Sequence, residues 1–322
     1  MKLLVVGPDI RDRRKVKNFT GVQAFYLARE LRKRGVELHF IEAKHPDPLR
    51  YFAEVDGRGC DHVLALGLRY FTHQPPGCAT ALSLKVQGAV TQLHDGLVHE
   101  YLADHMVGVD CTFTFRDDST RTKEWGRYAK SNHYIGWAAD PELLYPEQSE
   151  RTLRILIDHP YYKGGTPDHT VEVTRDVLDF AHTGKWRERW QSIRVHRLVN
   201  GGVENVDLNS PPSFAPFDRK HIPFEEIAPR YRKTNVYMVT HKESVGLTCL
   251  ELAYCGAQVV APKGLIYQDR LDTIRHVQYE GCRAPWSLIL ESIDPVASAT
   301  FAREQTWDKV ADRMLRWLGD YR

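Results

Sequence analysis

An α/β protein of two doubly wound, Rossmann-like domains facing across a cleft is the fold that this sequence predicts. Short apolar runs alternate with helix-like stretches in the first half, and a second such series follows after residue 150. A chain of 322 residues is long for one core and comfortable for two, at roughly 150 residues each. The composition, 42% hydrophobic and 27% charged, is that of an ordinary folded protein and excludes disordered and fibrous classes.

The elements follow in order. Leu3–Val6 is an apolar run of strand length. Gly21–Arg34 carries Val22, Phe25, Tyr26, Leu27 and Leu31 at helical spacing, ends in a basic turn and stops at Gly35. Val36–Ile41 alternates like a second strand, and His62–Leu66 and Ala89–Leu93 supply further strand-like runs. After the polar stretch Asp140–Arg151 come a strand at Arg154–Ile157, a helix at Thr170–His182, a strand at Ile193–Leu198, a short helix at Phe224–Arg232 and a strand at Asn235–Val239. Thr306–Tyr321 closes the series, with Trp307, Val310, Ala311, Met314, Leu315 and Leu318 on one helical face. The expected division is residues 1–145, residues 146–305, and a helix over 306–322 packing back toward the first domain.

No apolar run approaches the roughly 20 residues that cross a bilayer, and the start of the chain, Met1–Gly7, reads as a buried strand rather than a leader. The six cysteines form no Cys-x-x-Cys pair, which favours free thiols and a cytoplasmic setting. Net charge is only +2, yet residues 1–44 hold eleven Lys/Arg against five Asp/Glu. The positive charge is therefore local.

The densest signal is Glu243-Ser-Val-Gly246-Leu247-Thr248-Cys-Leu-Glu251, followed by Cys255-Gly256 and the apolar run Gln258–Pro262. Two carboxylates bracket a turn that opens a helix, and the helix stops at glycine before a buried strand. A helix start offers unpaired N–H groups and partial positive charge to a phosphate, and carboxylates accept hydrogen bonds from sugar hydroxyls. The pattern suits a nucleotide sugar. The bland readings are a capping acid at Glu243 and a surface helix acid at Glu251.

Several segments, in order, resemble the retaining GT-B glycosyltransferases with the Glu-x7-Glu signature. Thr20–Gly35 matches the family's glycine turn and first helix, and Val90–Asp95 its strand ending in histidine. Ile135–Pro146 resembles the segment between domains, Leu153–Gly164 the first strand and basic turn of the second domain, Glu243–Pro262 the signature, and Thr306–Leu315 the terminal helix. The resemblance implies that Glu251 holds the donor ribose, Glu243 the donor sugar, and the backbone of Gly246, Leu247 and Thr248 the sugar and diphosphate. By the same resemblance Gly21 lets the backbone approach the diphosphate, Lys163 neutralises the departing diphosphate, and His94 orients the sugar; Glu243, His94 and Lys163 are thus the catalytic candidates. The family arginine a few residues before that lysine is missing: Asp158-His159-Pro160 stands there, with Lys242, His159 or Lys263 as substitutes.

The resemblance further implies a hexosyl- or pentosyltransferase that retains anomeric configuration and needs no cofactor, its donor a nucleoside diphosphate sugar, preferably of uridine. No Asp-x-Asp occurs in the chain, and His99-Glu100 with His105 does not have metalloprotease spacing, so no metal site is expected. Between Gly7 and Gly21, Arg11, Arg13, Arg14, Lys15 and Lys17 form a basic loop that would suit an anionic acceptor: a phospholipid at a membrane surface, a phosphorylated saccharide or a nucleic acid. Its bland reading is a solvated loop. Three functions follow: transfer to a glycan, lipid or small molecule; transfer to a hydroxylated DNA base flipped from the duplex; or silent nucleotide-sugar binding, to which the missing arginine points. The sequence does not fix the oligomeric state.

Overall fold

The computed structural model describes residues 1–16, 19–41, 59–65, 109–114, 129–158, 167–199, 202–209, 224–240, 247–264 and 271–319. The chain divides into two compact units, Met1–Trp137 with Thr306–Arg322, and Ala138–Gln305. The expected strand at Ala89–Leu93 lies outside the described residues.

In the first unit β1 (Lys2–Val6) lies between β2 (Glu37–Ile41) and β3 (His62–Ala65), all parallel, with Leu4 opposite His39 on one side and Val63 on the other. The helix α1 (Phe19–Lys33) connects β1 to β2. Its residues Ala24, Leu27, Ala28 and Leu31 recur at helical spacing and are all buried. Gly35 N–H reaches Arg32 O at 3.0 Å and Val36 N–H reaches Leu31 O at 3.1 Å, so the helix closes in a Schellman pattern. A separate parallel pair, β4 (Val109–Thr114) and β5 (Ala129–Tyr134), belongs to the same unit.

The second unit holds β6 (Thr152–Ile157), α2 (Pro167–Thr183), β7 (Ser192–Val199), β8 (Gly202–Asn205), α3 (Phe224–Arg232), β9 (Val236–Met238), α4 (Leu247–Tyr254), β10 (Gln258–Pro262), β11 (His276–Tyr279), α5 (Trp286–Ser292) and α6 (Pro295–Ala302). Its sheet runs β11-β10-β9-β6-β7-β8, parallel throughout except that β8 turns back on β7. Counted along the unit, that order is 3-2-1-4-5-6, the doubly wound pattern, and the order reverses between β6 and β9. Central strands β9 and β10 are buried at every residue, as parallel strands covered on both faces must be.

α4 ends at Gly256, where Gly256 N–H bonds Ala253 O and Ala257 N–H bonds Leu252 O, both at 2.9 Å. Its φ is 84°, and a Cβ there would lie 2.7 Å from Pro295 O, so only glycine lets α4 and α6 approach this closely. Residues 138–148 are tied into this unit: Asp140 caps the turn at Glu142 and Leu143, Arg303 donates to Leu144 O at 3.1 Å, and Gln148 donates to Thr234 O and Cys255 O.

The last helix, α7 (Trp307–Gly319), belongs to the first unit. Trp307, Val310, Ala311, Met314 and Leu318 are buried. Trp307 stacks on Tyr26 of α1 with ring centroids 5.6 Å apart, and Arg34 bonds Asp312 at 2.6 Å and Asp308 O at 3.0 Å. Arg313 donates to Ile135 O at 2.9 Å. No helix among the described residues is long and apolar enough to cross a membrane.

Candidate functional site at the strand reversal of the second unit

Strand order reverses between β6 and β9, and in open α/β sheets ligands bind outside the carboxyl ends of the strands at such a reversal. β6 ends at Ile157-Asp158 and leads toward α2, while β9 ends at Met238 and leads through Val239-Thr240 toward α4. A buried hydrogen-bond network joins the two ends. Asp158 N–H donates to Met238 O at 2.9 Å, Thr240 Oγ1 donates to Asp158 O at 2.9 Å, and Thr170 Oγ1 of α2 donates to Thr240 Oγ1 at 3.1 Å. Asp158, Thr170 and Thr240 are each at most 5% exposed.

A second group flanks that edge. Tyr279 donates its hydroxyl to Val239 O at 2.7 Å, and His169 Nε2 lies 3.3 Å from the same hydroxyl. Since the hydroxyl proton is committed to Val239, the ring nitrogen is the donor in that pair. Burial lowers the His169 pKa, partly offset by Glu172, so the ring is neutral at neutral pH. Cys282 Sγ lies 3.3 Å from His169 Nδ1 and 2.8 Å from Glu172 Oε2; burial, then that carboxylate, pushes its thiol up to about 11.

α4 opens at Leu247 directly beyond the β9 connection. Leu247 and Thr248 are its first two residues, and Glu251 lies one turn further on, half-buried. First-turn N–H groups have no partner within their own helix, so this end can receive an anion. The Thr248 side chain bonds the buried Tyr231 of α3, whose hydroxyl is raised well above its usual range by burial, then by the charges of Glu251 and Asp158. Burial and the Glu251 charge likewise push the Cys255 thiol up. The Glu251 carboxylate therefore acts on a shell of neutral hydroxyl and thiol groups.

Of the residues singled out from the sequence, Leu247, Thr248 and Glu251 share the first turns of α4. Glu243, Gly246, Lys163, His94 and Lys17 lie outside the described residues. Gly21 is buried, and it stands as the third residue of α1 rather than in a turn ahead of it. Helical hydrogen bonding starts at Phe19, earlier than the apolar spacing suggested.

Arg13–Lys15 form a short 3-10 turn capped by Asp12, whose side chain accepts from Arg14 N–H. Arg14 pairs with Asp12 at 2.9 Å, Arg11 pairs with Asp9 at 2.8 Å, and Arg13 donates to the Tyr26 hydroxyl. Two acids thus offset part of the positive charge that the sequence concentrates here. Of the cations offered in place of the family arginine, His159 and Lys242 lie outside the described residues. Lys263 follows the end of β10 and pairs with Glu280 at 2.7 Å on the surface.

Sequence reasoning missed Thr170, Thr240, Tyr231 and Tyr279. Each is a single hydroxyl without a spacing pattern: the register of β6 against β9 brings Thr240 to Asp158, the pairing of β11 on β10 places Tyr279, and Tyr231 comes from α3.

No family model matches the chain, and no curated protein matches it. Solved structures do. Sucrose-phosphate synthase from Thermosynechococcus elongatus aligns with a TM-score of 0.61 at 12% identity, over 99% of this chain and 98% of that one. HepE from Anabaena, in complex with UDP and glucose, aligns with a TM-score of 0.59 at 9% identity, over 99% and 100%. A protein assigned as a UDP-N-acetylglucosamine 2-epimerase from Listeria monocytogenes aligns with a TM-score of 0.55 at 12% identity, over 98% and 94%. At such identities the likeness establishes the fold: an α/β chain of two Rossmann-like domains, the GT-B fold.

Proposed function

We propose that this protein is a retaining, metal-independent hexosyl- or pentosyltransferase that moves a sugar from a nucleoside diphosphate sugar, preferably of uridine, to an acceptor hydroxyl. The observation that carries the reading is the opening of α4 at the strand reversal of a 3-2-1-4-5-6 sheet, with Glu251 one turn in. Two of the solved structures of this fold bear the names of a sugar-phosphate synthase and a protein holding UDP with glucose, which supports a nucleotide-sugar ligand.

On this reading Glu251 accepts both ribose hydroxyls, and the N–H groups of Gly246, Leu247 and Thr248 receive the sugar and diphosphate at the positive helix end. Glu243 bonds the donor sugar and stabilises positive charge as the glycosidic bond loosens. Lys163 holds charge on the departing diphosphate, Gly21 admits it close to backbone, and His94 orients the sugar. The C1–O bond to the β-phosphate breaks, the acceptor oxygen forms the new bond from the same face, and its proton passes to the departing phosphate oxygen. Orientation and electrostatic stabilisation then supply most of the rate. The diphosphate charge is met by the helix end and cations, in keeping with a chain that has no Asp-x-Asp. The free thiols of Cys255 and Cys282 support a reducing, cytoplasmic setting.

A second reading, silent nucleotide-sugar binding, is favoured by Asp158 at the strand reversal where the family carries a cation nearby, and by the pairing of Lys263 with Glu280. One experiment separates the two. UDP at a hundredfold excess over its dissociation constant should raise apparent stability by about 2.7 kcal/mol, and Glu251→Gln should remove most of that gain. Nucleoside diphosphate release from a donor panel then tests turnover: a donor that binds without being hydrolysed or transferred leaves only the silent reading, and a Glu251→Gln protein that binds UDP like the wild type removes both.

A further inference from the structure

Along one face of α1, Phe25, Arg29, Arg32 and Lys33 stand at helical intervals, and Ile10 with Arg11 closes the opposite side. Together they line an open hollow of about 510 Å³ whose walls are mostly carbon. Four cations line it and, among the described residues, no carboxylate does. The Arg11 and Lys33 side chains are 73% and 60% exposed, which places their charged ends toward solvent.

The acids serving these cations stand outside the lining. Asp9 bonds both Arg11, at 2.8 Å, and Arg32, at 2.9 Å. Glu30, only 5% exposed, bonds Arg29 at 3.1 Å and Lys33 at 2.8 Å. Aromatic rings steady the guanidinium groups: Arg29 lies 5.9 Å from the Phe25 centroid and 5.1 Å from that of Tyr26, and Arg32 lies 5.3 Å from Phe40. The result is a carbon-walled hollow with an excess of ordered positive charge.

We propose that this hollow binds a phosphate group borne on an apolar body. The body fills the space over Phe25 and Ile10, and the phosphate stays among Arg11, Arg29, Arg32 and Lys33, where guanidinium forks match its oxygens. Inorganic phosphate would leave the carbon walls unused, and a neutral apolar ligand would leave the charge unused. A nucleic-acid backbone calls for a groove or stripe that tracks successive phosphates, whereas these four cations surround one open hollow with room for a single small body. The same chemistry is offered by a soluble aryl or alkyl phosphate and by a phospholipid headgroup. The hollow belongs to the first unit, and the inference does not rest on the proposed transfer reaction.

The test uses the full chain, calorimetry with phenyl phosphate and with inorganic phosphate, and co-sedimentation with phosphatidylcholine vesicles with and without phosphatidic acid. Arg11→Glu/Lys33→Glu alters two exposed side chains, and an unchanged melting curve checks that the fold survives. Phenyl phosphate should bind more tightly than inorganic phosphate and weaken at least roughly tenfold in the double variant; this identifies a soluble ligand. Binding only to vesicles holding phosphatidic acid, lost in the same variant, identifies the lipid source. Arg32→Gln should weaken whichever binding is seen. No binding of either probe, equal affinity for inorganic phosphate, indifference to the double variant, or tighter binding of duplex DNA overturns the proposal.

Discussion

Gly256→Ala should destabilise the second unit severely, and the cost can be worked from two separate features. The residue has φ 84°, a region that costs an L-residue with a Cβ about 1–2 kcal/mol. The new methyl would also lie 2.7 Å from Pro295 O and 2.9 Å from both Pro295 Cα and Cβ. That backbone cannot give easily, because it opens α6 beside the Asp294 cap, which accepts from Ala297 N–H at 2.9 Å. Forcing it aside adds about 1–3 kcal/mol. The total is about 2–5 kcal/mol, or a fall in Tm of roughly 4–20 °C for a unit of this size. Gly264→Ala is the matched control, since its φ is 78° but no described atom lies within 4 Å of where its methyl carbon would sit; it should cost only the backbone share of about 1–2 kcal/mol. Thermal and urea melts followed by far-ultraviolet circular dichroism read both. Equal losses in the two variants would refute the steric argument, and a Gly256→Ala protein as stable as the wild type would refute both parts.

Arg34→Ala should cost about 1–2 kcal/mol by removing bonds from α1 to Asp312 and Asp308 O, whereas Asp312→Asn, at a side chain 58% exposed, should cost less than about 1 kcal/mol in the same urea melts. His169 is held below its usual pKa, so the unfolded chain takes up the proton first and stability falls as pH drops below about 6.5 and through the lowered folded value; His169→Gln should flatten that part of the stability profile, leaving the share due to His196, which burial lowers in the same sense. Cys282 should alkylate slowly at pH 8, because its thiol is pushed up to about 11, and Glu172→Gln should speed the reaction; an unchanged rate would show that the carboxylate does not hold the thiol.

Much of the second unit is legible from local sequence. Gln258–Pro262 and Phe224–Arg232 have the boundaries that their patterns suggest, because one is apolar at nearly every position and the other has a clear amphipathic period. β8 is different. Its Gly-Val-Glu-Asn segment buries Val203 but neither Glu204 nor Asn205, and it is held by an antiparallel edge pairing to β7, which no local signal announces. β5, Ala-Lys-Ser-Asn-His-Tyr, is likewise polar, and its strand character comes from pairing with β4. At the candidate site, α4 and its glycine stop could be read directly, while the Asp158–Thr240–Thr170 network depends on register between distant strands. The basic loop shows the opposite failure. Its charge was plain, but the pairing of Asp9 and Asp12 with that charge, and the closure of Ile10 and Arg11 against α1, required the folded backbone.

The membership of α7 in the first unit bears on how the protein is made. Residues 138–305 must leave the ribosome before Trp307 can stack on Tyr26, so α1 waits with that face uncovered while a whole second unit is synthesised. The second unit has its strands and helices contiguous in the chain and can fold as they emerge. A chain that ends after Gln305 and has been released from the ribosome should therefore protect the later-made unit from protease while leaving the earlier-made one open to it.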